Sequence, residues 1–187
     1  MPHIDMLSQH PDEPVARQLF EQVRAARGPD FELPDLYRVL GLNAPMFKAW
    51  LDFAWPLRLH AQTPRALREL LILRGALVSR TAYEWAHHLP MAAEAGVSPE
   101  QIDALPRWRD ADCFDAREQA VLRLADEVTT GPGATEDALA ELKRCGFDDA
   151  DRVELVLTAS FYVCVSRFLN SMGIVPEAGY DPHLPAL

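Results

Sequence analysis

Three ionisable side chains, Glu69, Glu84 and His88, lie in the stretch RALRELLILRGALVSRTAYEWAHHLPMAAEAGV, from Arg65 to Val97. Carboxylates and an imidazole are ordinary agents of proton transfer, because an unperturbed histidine exchanges its proton near pH about 6.5 and a carboxylate can orient it. His88 is the candidate acid or base, with Glu69 and Glu84 as orienting groups. Arg74 could hold a substrate carboxylate, Tyr83 and Trp85 could wall a pocket, and Thr81 could contribute a hydroxyl. Each has a structural reading beside the chemical one. Glu69 could pair along its own helix with Arg65 or Arg68, Arg74 could take a buried carboxylate partner, and the aromatics could be core. His87 reads as exposed.

Two helices must position these groups. Thr63-Pro64 supplies an N-cap followed by proline at the first helical position, and Leu67, Leu70, Leu71, Leu77 and Val78 recur at helical spacing after it. Thr81-Ala82-Tyr83-Glu84 has the form of a capping box, which would start a second helix at Ala82 and occupy Thr81 and Glu84 in capping. Gly96 ends that helix. In one straight helix Glu69 and His88 would stand about 28 Å apart. A break near Ser79 lets the segments fold into an antiparallel hairpin that brings them together.

A glutamate, a twelve-residue step, then C-x-x-C-x-x-x-H is the core pattern of the alkylhydroperoxidase D and carboxymuconolactone decarboxylase superfamily, and Glu69, Thr81, Glu84 and His88 fall on those positions. With RELLILRGAL, YEWAHH, MAAEAGVSPEQI and the C-terminal SFYVCVSRFLNSMGIVP, the chain resembles that superfamily over residues 57–176. The resemblance implies an all-α helical bundle of about eight helices around the central hairpin, and a homo-oligomer, whether dimer, trimer or hexamer. Peroxidase members use both cysteines as a redox pair. Thr81 and Glu84 cannot form a disulfide, so thiol peroxidase chemistry of that type lacks its reactants.

At 187 residues the chain suits one domain, with an N-terminal arm over residues 1–12 that is mobile or straps a partner, and an extended tail over residues 177–187. The formal net charge of −10 argues against a nucleic-acid surface. Cys113, Cys145 and Cys164 form no C-x-x-C, which suggests neither a disulfide framework nor a zinc site, and Cys164 reads as a buried, inert thiol. No stretch reads as a membrane span of roughly 20 apolar residues, and no signal peptide is recognised, which places the protein in the cytoplasm.

Before and after the hairpin the spacing predicts further helices, among them Pro45 to Leu59, rich in aromatics and bent or ended by Pro56, and a long one opened by Asp148. In that last helix Val153, Val156, Leu157, Ser160, Phe161, Cys164 and Phe168 mark the stripe expected to be buried. Three functions fit. The first is a lyase, decarboxylase or isomerase of carboxymuconolactone decarboxylase type that needs no cofactor and acts on a small carboxylated lactone or ring-cleavage product. The second is an oxidoreductase using an isolated cysteine, and the third a non-catalytic oligomer that binds a small acid or serves as a scaffold for a partner.

Overall fold

The helical spacing becomes nine α-helices in the computed structural model, which describes residues 2–187, and no strand occurs among them. They are α1 (Pro14–Arg27), α2 (Asp35–Leu40), α3 (Ala44–Leu59), α4 (Arg65–Val78), α5 (Ala82–Glu94), α6 (Pro99–Ala104), α7 (Ala116–Thr130), α8 (Glu136–Arg144) and α9 (Asp149–Met172). Short 3-10 turns follow α2 and α6. Pro56 lies in the last turn of α3 and does not end it, since the helix runs three residues further.

Helix α4 is the centre, packed against α5, α7 and α9. One side of it, with Leu67, Leu71 and Ile72, meets Val121 and Leu124 of α7 and Leu155 and Ala159 of α9. Leu70, Leu73 and Leu77 meet Trp85 and Ala92 of α5, together with Trp108. Helices α1 to α3 build a separate apolar cluster around Phe20, Phe47 and Leu51. Gly41 is needed there, because a Cβ would lie 2.8 Å from the Phe20 ring.

The turn between α4 and α5 is tight. Arg80 has φ of 53°, the left-handed conformation that reverses the chain within Ser79–Thr81. Helix α5 therefore runs back along α4. Its capping differs from the capping-box expectation: Thr81 is the N-cap residue but makes no side-chain cap bond, and Glu84 turns inward. Thr63 also differs, since α4 begins one residue later and the Thr63 hydroxyl binds the Glu154 carboxylate. The patterns at Ser98, Asp115 and Asp148 do form reciprocal capping boxes.

In α9 the buried stripe is Leu155, Thr158, Ala159, Phe161, Val165, Ser166 and Leu169. Val153, Leu157, Ser160 and Cys164 face outward instead. The helix is apolar nearly all round, so periodicity could not choose its inward face. By length and composition α9 also meets the requirement for a membrane-crossing helix, contrary to the sequence reading.

The N-terminal arm is pinned to its own chain: the His3 amide donates to the Met172 carbonyl at 2.8 Å and the Leu7 amide to the Arg38 carbonyl at 3.2 Å. The first residue of the arm, Met1, falls outside the described residues.

Arg74 is committed to the interior. Its Nε lies 2.5 Å from Asp126 Oδ1, and its Nη1 donates to the carbonyls of Leu105 and Pro106. Trp108 and Arg109 complete the shell around Asp126. Asp126→Ala should therefore lower the free energy of unfolding by about 3–5 kcal/mol, because it strands a buried guanidinium. Denaturant titration checks this, and a loss below about 1 kcal/mol would mean the pair is dispensable.

Candidate functional site

Glu69 and His88 meet across the hairpin. His88 Nδ1 lies 2.7 Å from Glu69 Oε2, and Arg65, one turn before Glu69 on α4, pairs with Oε1. Glu69 has no exposed surface. Burial pushes its pKa up, but the hydrogen bond and charge of His88 and the charge of Arg65 outweigh burial and leave it below the ordinary value. An ionised Glu69 accepts from Nδ1–H, which makes Nε2 the ring nitrogen left for other partners.

Glu84, one turn before His88 on α5, is in the opposite condition. It is almost fully buried, the Ser166 hydroxyl of α9 donates to its Oε2, and Oε1 has no partner among the described residues. Among the described residues no cation pairs with it. Burial accordingly pushes its pKa up to about 8, with the Ser166 bond only partly opposing the shift. The side chain is an uncharged acid at neutral pH, with one proton to donate.

Glu84 and His88 line a cavity of ≈ 120 Å³ between α3, α5 and α9, and Glu69 lies behind His88, outside that lining. Tyr83, Glu84, His87 and His88 supply its α5 wall at the i, i+1, i+4, i+5 spacing of one helix face. Trp50, Trp55 and Arg58 come from α3, and Phe161 and Tyr162 from α9. The Tyr162 ring stands edge-on to His88, centroids 5.1 Å apart. Burial first, and then the charges of Glu69 and Glu84, raise the Tyr162 pKa, so the phenol keeps its proton. A void of roughly 150 Å³ accepts benzene, so this cavity suits one small ring.

At the rim, His87 is only partly exposed, unlike its sequence reading. It is stacked between Tyr83 and Tyr180, at 4.2 and 4.1 Å, and its Nε2 lies 2.6 Å from Glu177 Oε2. Glu177 also accepts from the Asp35 amide and the Tyr83 hydroxyl. Burial works against ionisation, but His87 and the backbone donors prevail and lower the Glu177 pKa to about 2.

Of the residues singled out from sequence, Glu69, Glu84 and His88 converge and Tyr83 joins the wall. Arg74 does not reach the cavity. It lies five residues beyond Glu69, about 140° further round α4, and so faces α7. Trp85 is core, packed with Leu70 and Leu73. Thr81 makes only long contacts, donating to the Ser79 carbonyl at 3.4 Å and accepting from Asn170 at 3.3 Å. Arg58, Tyr162 and Ser166 were missed. The aromatic spacing of α3 hinted at a cavity, whereas nothing near Ser166 distinguishes it in sequence.

Residues 44–127 match the Carboxymuconolactone decarboxylase family, a span running from α3 into α7. The fold is also that of an alkylhydroperoxidase AhpD core, an uncharacterized peroxidase-related protein from Ralstonia eutropha JMP134, with a TM-score of 0.79 and 20% identity over 95% of this chain and 93% of that one. The family match and the alkylhydroperoxidase D-like fold fall on the same central helices. Two further likenesses sit beside these. Uncharacterized protein YdfG of Bacillus subtilis (strain 168) is 27% identical over 110 residues, 58% of this chain and 75% of that protein. The debrominase Bmp8, solved as a cysteine-to-alanine variant in complex with 2,3,4-tribromopyrrole, has a TM-score of 0.77 and 18% identity over 95% of each chain.

The buried acid has a consequence for stability. A carboxyl whose pKa rises on folding holds its proton more tightly folded than unfolded, so its contribution is full below its ordinary value of 4.5 and is lost as pH rises to about 8. Between those limits the loss is up to about 1.4 kcal/mol per pH unit. Glu84→Gln should thus gain stability relative to the native protein as pH rises from 5 to 8. Parallel denaturant titrations check it, and a gap that does not change with pH would mean Glu84 is ionised when folded.

Proposed function

We propose that the protein is a lyase or isomerase that moves protons on a small, ring-sized unsaturated substrate without a cofactor. The observation that supports this is the placing of an uncharged Glu84 and of His88 on one cavity wall, with Glu69 behind His88 on its Nδ1. His88 Nε2 takes a proton from a carbon next to a carbonyl. The electron pair of that C–H bond moves onto the carbonyl oxygen, where the Glu84 or Tyr162 proton hydrogen-bonds to it. His88 then returns its proton at another carbon of the conjugated system, which completes an isomerisation. In a decarboxylation the same enolate would arise by loss of CO2, and an acid on the wall would protonate it.

Glu69 keeps the imidazole in the tautomer with Nε2 free and stabilises its cation when it forms. Glu84 is more useful uncharged, because an ionised carboxylate beside the enolate would repel it. The Bmp8 and peroxidase-related likenesses are compatible with redox chemistry, yet Cys113, Cys145 and Cys164 are absent from the cavity lining. Proton transfer uses the groups that do line it.

Hydrogen–deuterium exchange at the α-carbon of small cyclic enones and unsaturated lactones, followed by NMR in D2O, tests the reading. The native protein should catalyse exchange, and His88→Ala should slow it by roughly 10²–10⁴-fold. A variant with all three cysteines replaced by serine should keep its rate. Loss of activity in the cysteine variant, with His88→Ala unaffected, would overturn the reading in favour of thiol chemistry.

A further inference from the structure

A second, wider cleft of ≈ 770 Å³ adjoins the inner cavity, and Pro34, Tyr37, Trp55, Arg58 and His87 belong to the walls of both. A ligand entering the inner cavity from this side passes between those five residues. Arg58 is the cation among them whose donors are not already taken. Arg38, Arg65, Arg74, Arg123 and Arg152, all at least partly buried, each pair with a carboxylate. Arg24 and Arg68 donate to backbone carbonyls. Half-buried Arg58 has, among the described residues, only a 3.4 Å approach of Nη2 to the sulfur of Met91.

A guanidinium carries five N–H donors in a planar fork that matches a carboxylate two-for-two, and a thioether sulfur is a weak acceptor. Holding that fork half out of water with no oxygen partner is unfavourable, which a bound anion would correct. Its charge also reaches the inner wall, where it works to lower the pKa values of Tyr37 and Tyr162 against the dominant effect of burial. The acidic groups of the outer cleft do not compete for it. Asp35 is held by Arg38, Glu177 by His87 and Tyr83, and Asp30 and Glu32 are exposed to solvent. In a chain of formal charge −10, a free cation between two chambers is a specific place for an anion.

We propose that Arg58 is the residue that selects the substrate, binding a carboxylate at the boundary between the chambers as a recognition handle while a ring-sized head occupies the inner cavity and any longer substituent lies in the outer cleft. This rests on the proposed proton-transfer reading for what happens to the head, but not for binding. The ligand class is a planar ring or cyclic alkene joined to its carboxylate directly or through one or two carbons. Trp55 and Tyr37 line both chambers and supply aromatic surface to the part of the ligand next to the charge.

Binding without turnover tests this. Benzoate, phenylacetate and 1-cyclohexenecarboxylate, each against its uncharged amide, are titrated by calorimetry into the native protein, Arg58→Gln and Arg58→Lys, with thermal unfolding as the check that each variant is folded. At least one carboxylate should bind the native protein tenfold or more tighter than its amide. Arg58→Gln should abolish that preference while the amide's affinity stays within about threefold, and Arg58→Lys should keep part of it. Equal binding of acid and amide, a preference that survives in folded Arg58→Gln, or no binding by any of the three acids would each overturn the proposal. If the Arg58 effect holds but no α-proton exchange is catalysed, the proton-transfer reading fails and the binding site stands.

Discussion

The contact between Glu69 and His88, 2.7 Å across the α4–α5 hairpin, is the constraint on which the rest of the site depends. A carboxylate without any exposed surface is costly to bury unless its charge is answered nearby. Arg65 answers it along α4 and His88 across the turn, so the two helices are held in one register. That register fixes which face of α5 looks toward α3 and α9. Glu84, one turn from His88, is carried to the same cavity, where Ser166 and Tyr162 meet it.

Two carboxyl groups in one buried neighbourhood thus have opposite charge states for one physical reason. Glu69 has two cationic or proton-donating neighbours and stays ionised, whereas Glu84 has, among the described residues, one hydroxyl and no cation, and burial keeps it protonated. Pushing two pKa values apart in this way is how a single site can hold a base and an acid together at neutral pH. The arrangement also costs stability at pH 7, since an uncharged, half-satisfied Glu84 contributes less to folding than a glutamine or an apolar residue would. A cost of that kind is expected where a site has a task beyond holding the fold together.

The hairpin, the all-helical class and the convergence of Glu69 with His88 were legible in sequence. A helix start, a break and apolar periodicity are local signals, and the Glu-to-His spacing matches the superfamily pattern at Glu69, Thr81, Glu84 and His88. What sequence could not resolve was direction. Arg74 lies on an apolar stripe, but only the placement of α7 decides that it meets Asp126 and not a ligand. Glu84 satisfies the capping-box pattern, yet the buried Ser166 hydroxyl draws it inward. Helix α9 is apolar on almost every side, so its buried stripe and the exposure of Cys164 depend on packing partners distant in sequence. Arg58 and Tyr162, 104 positions apart, meet only because α3 and α9 enclose one cavity.

The protonation state of Glu84 is the most direct measure of this account. Selective ¹³C labelling of glutamate, with the Glu84 carboxyl signal assigned by its absence from Glu84→Gln, allows its shift to be followed from pH 4 to pH 10. A protonated carboxyl at pH 7 that titrates near pH 8, alongside a Glu69 signal ionised throughout the neutral range, is the predicted result. A Glu84 carboxylate already ionised at pH 6 would contradict it, because the cavity wall would then carry a negative group in place of a buried acid.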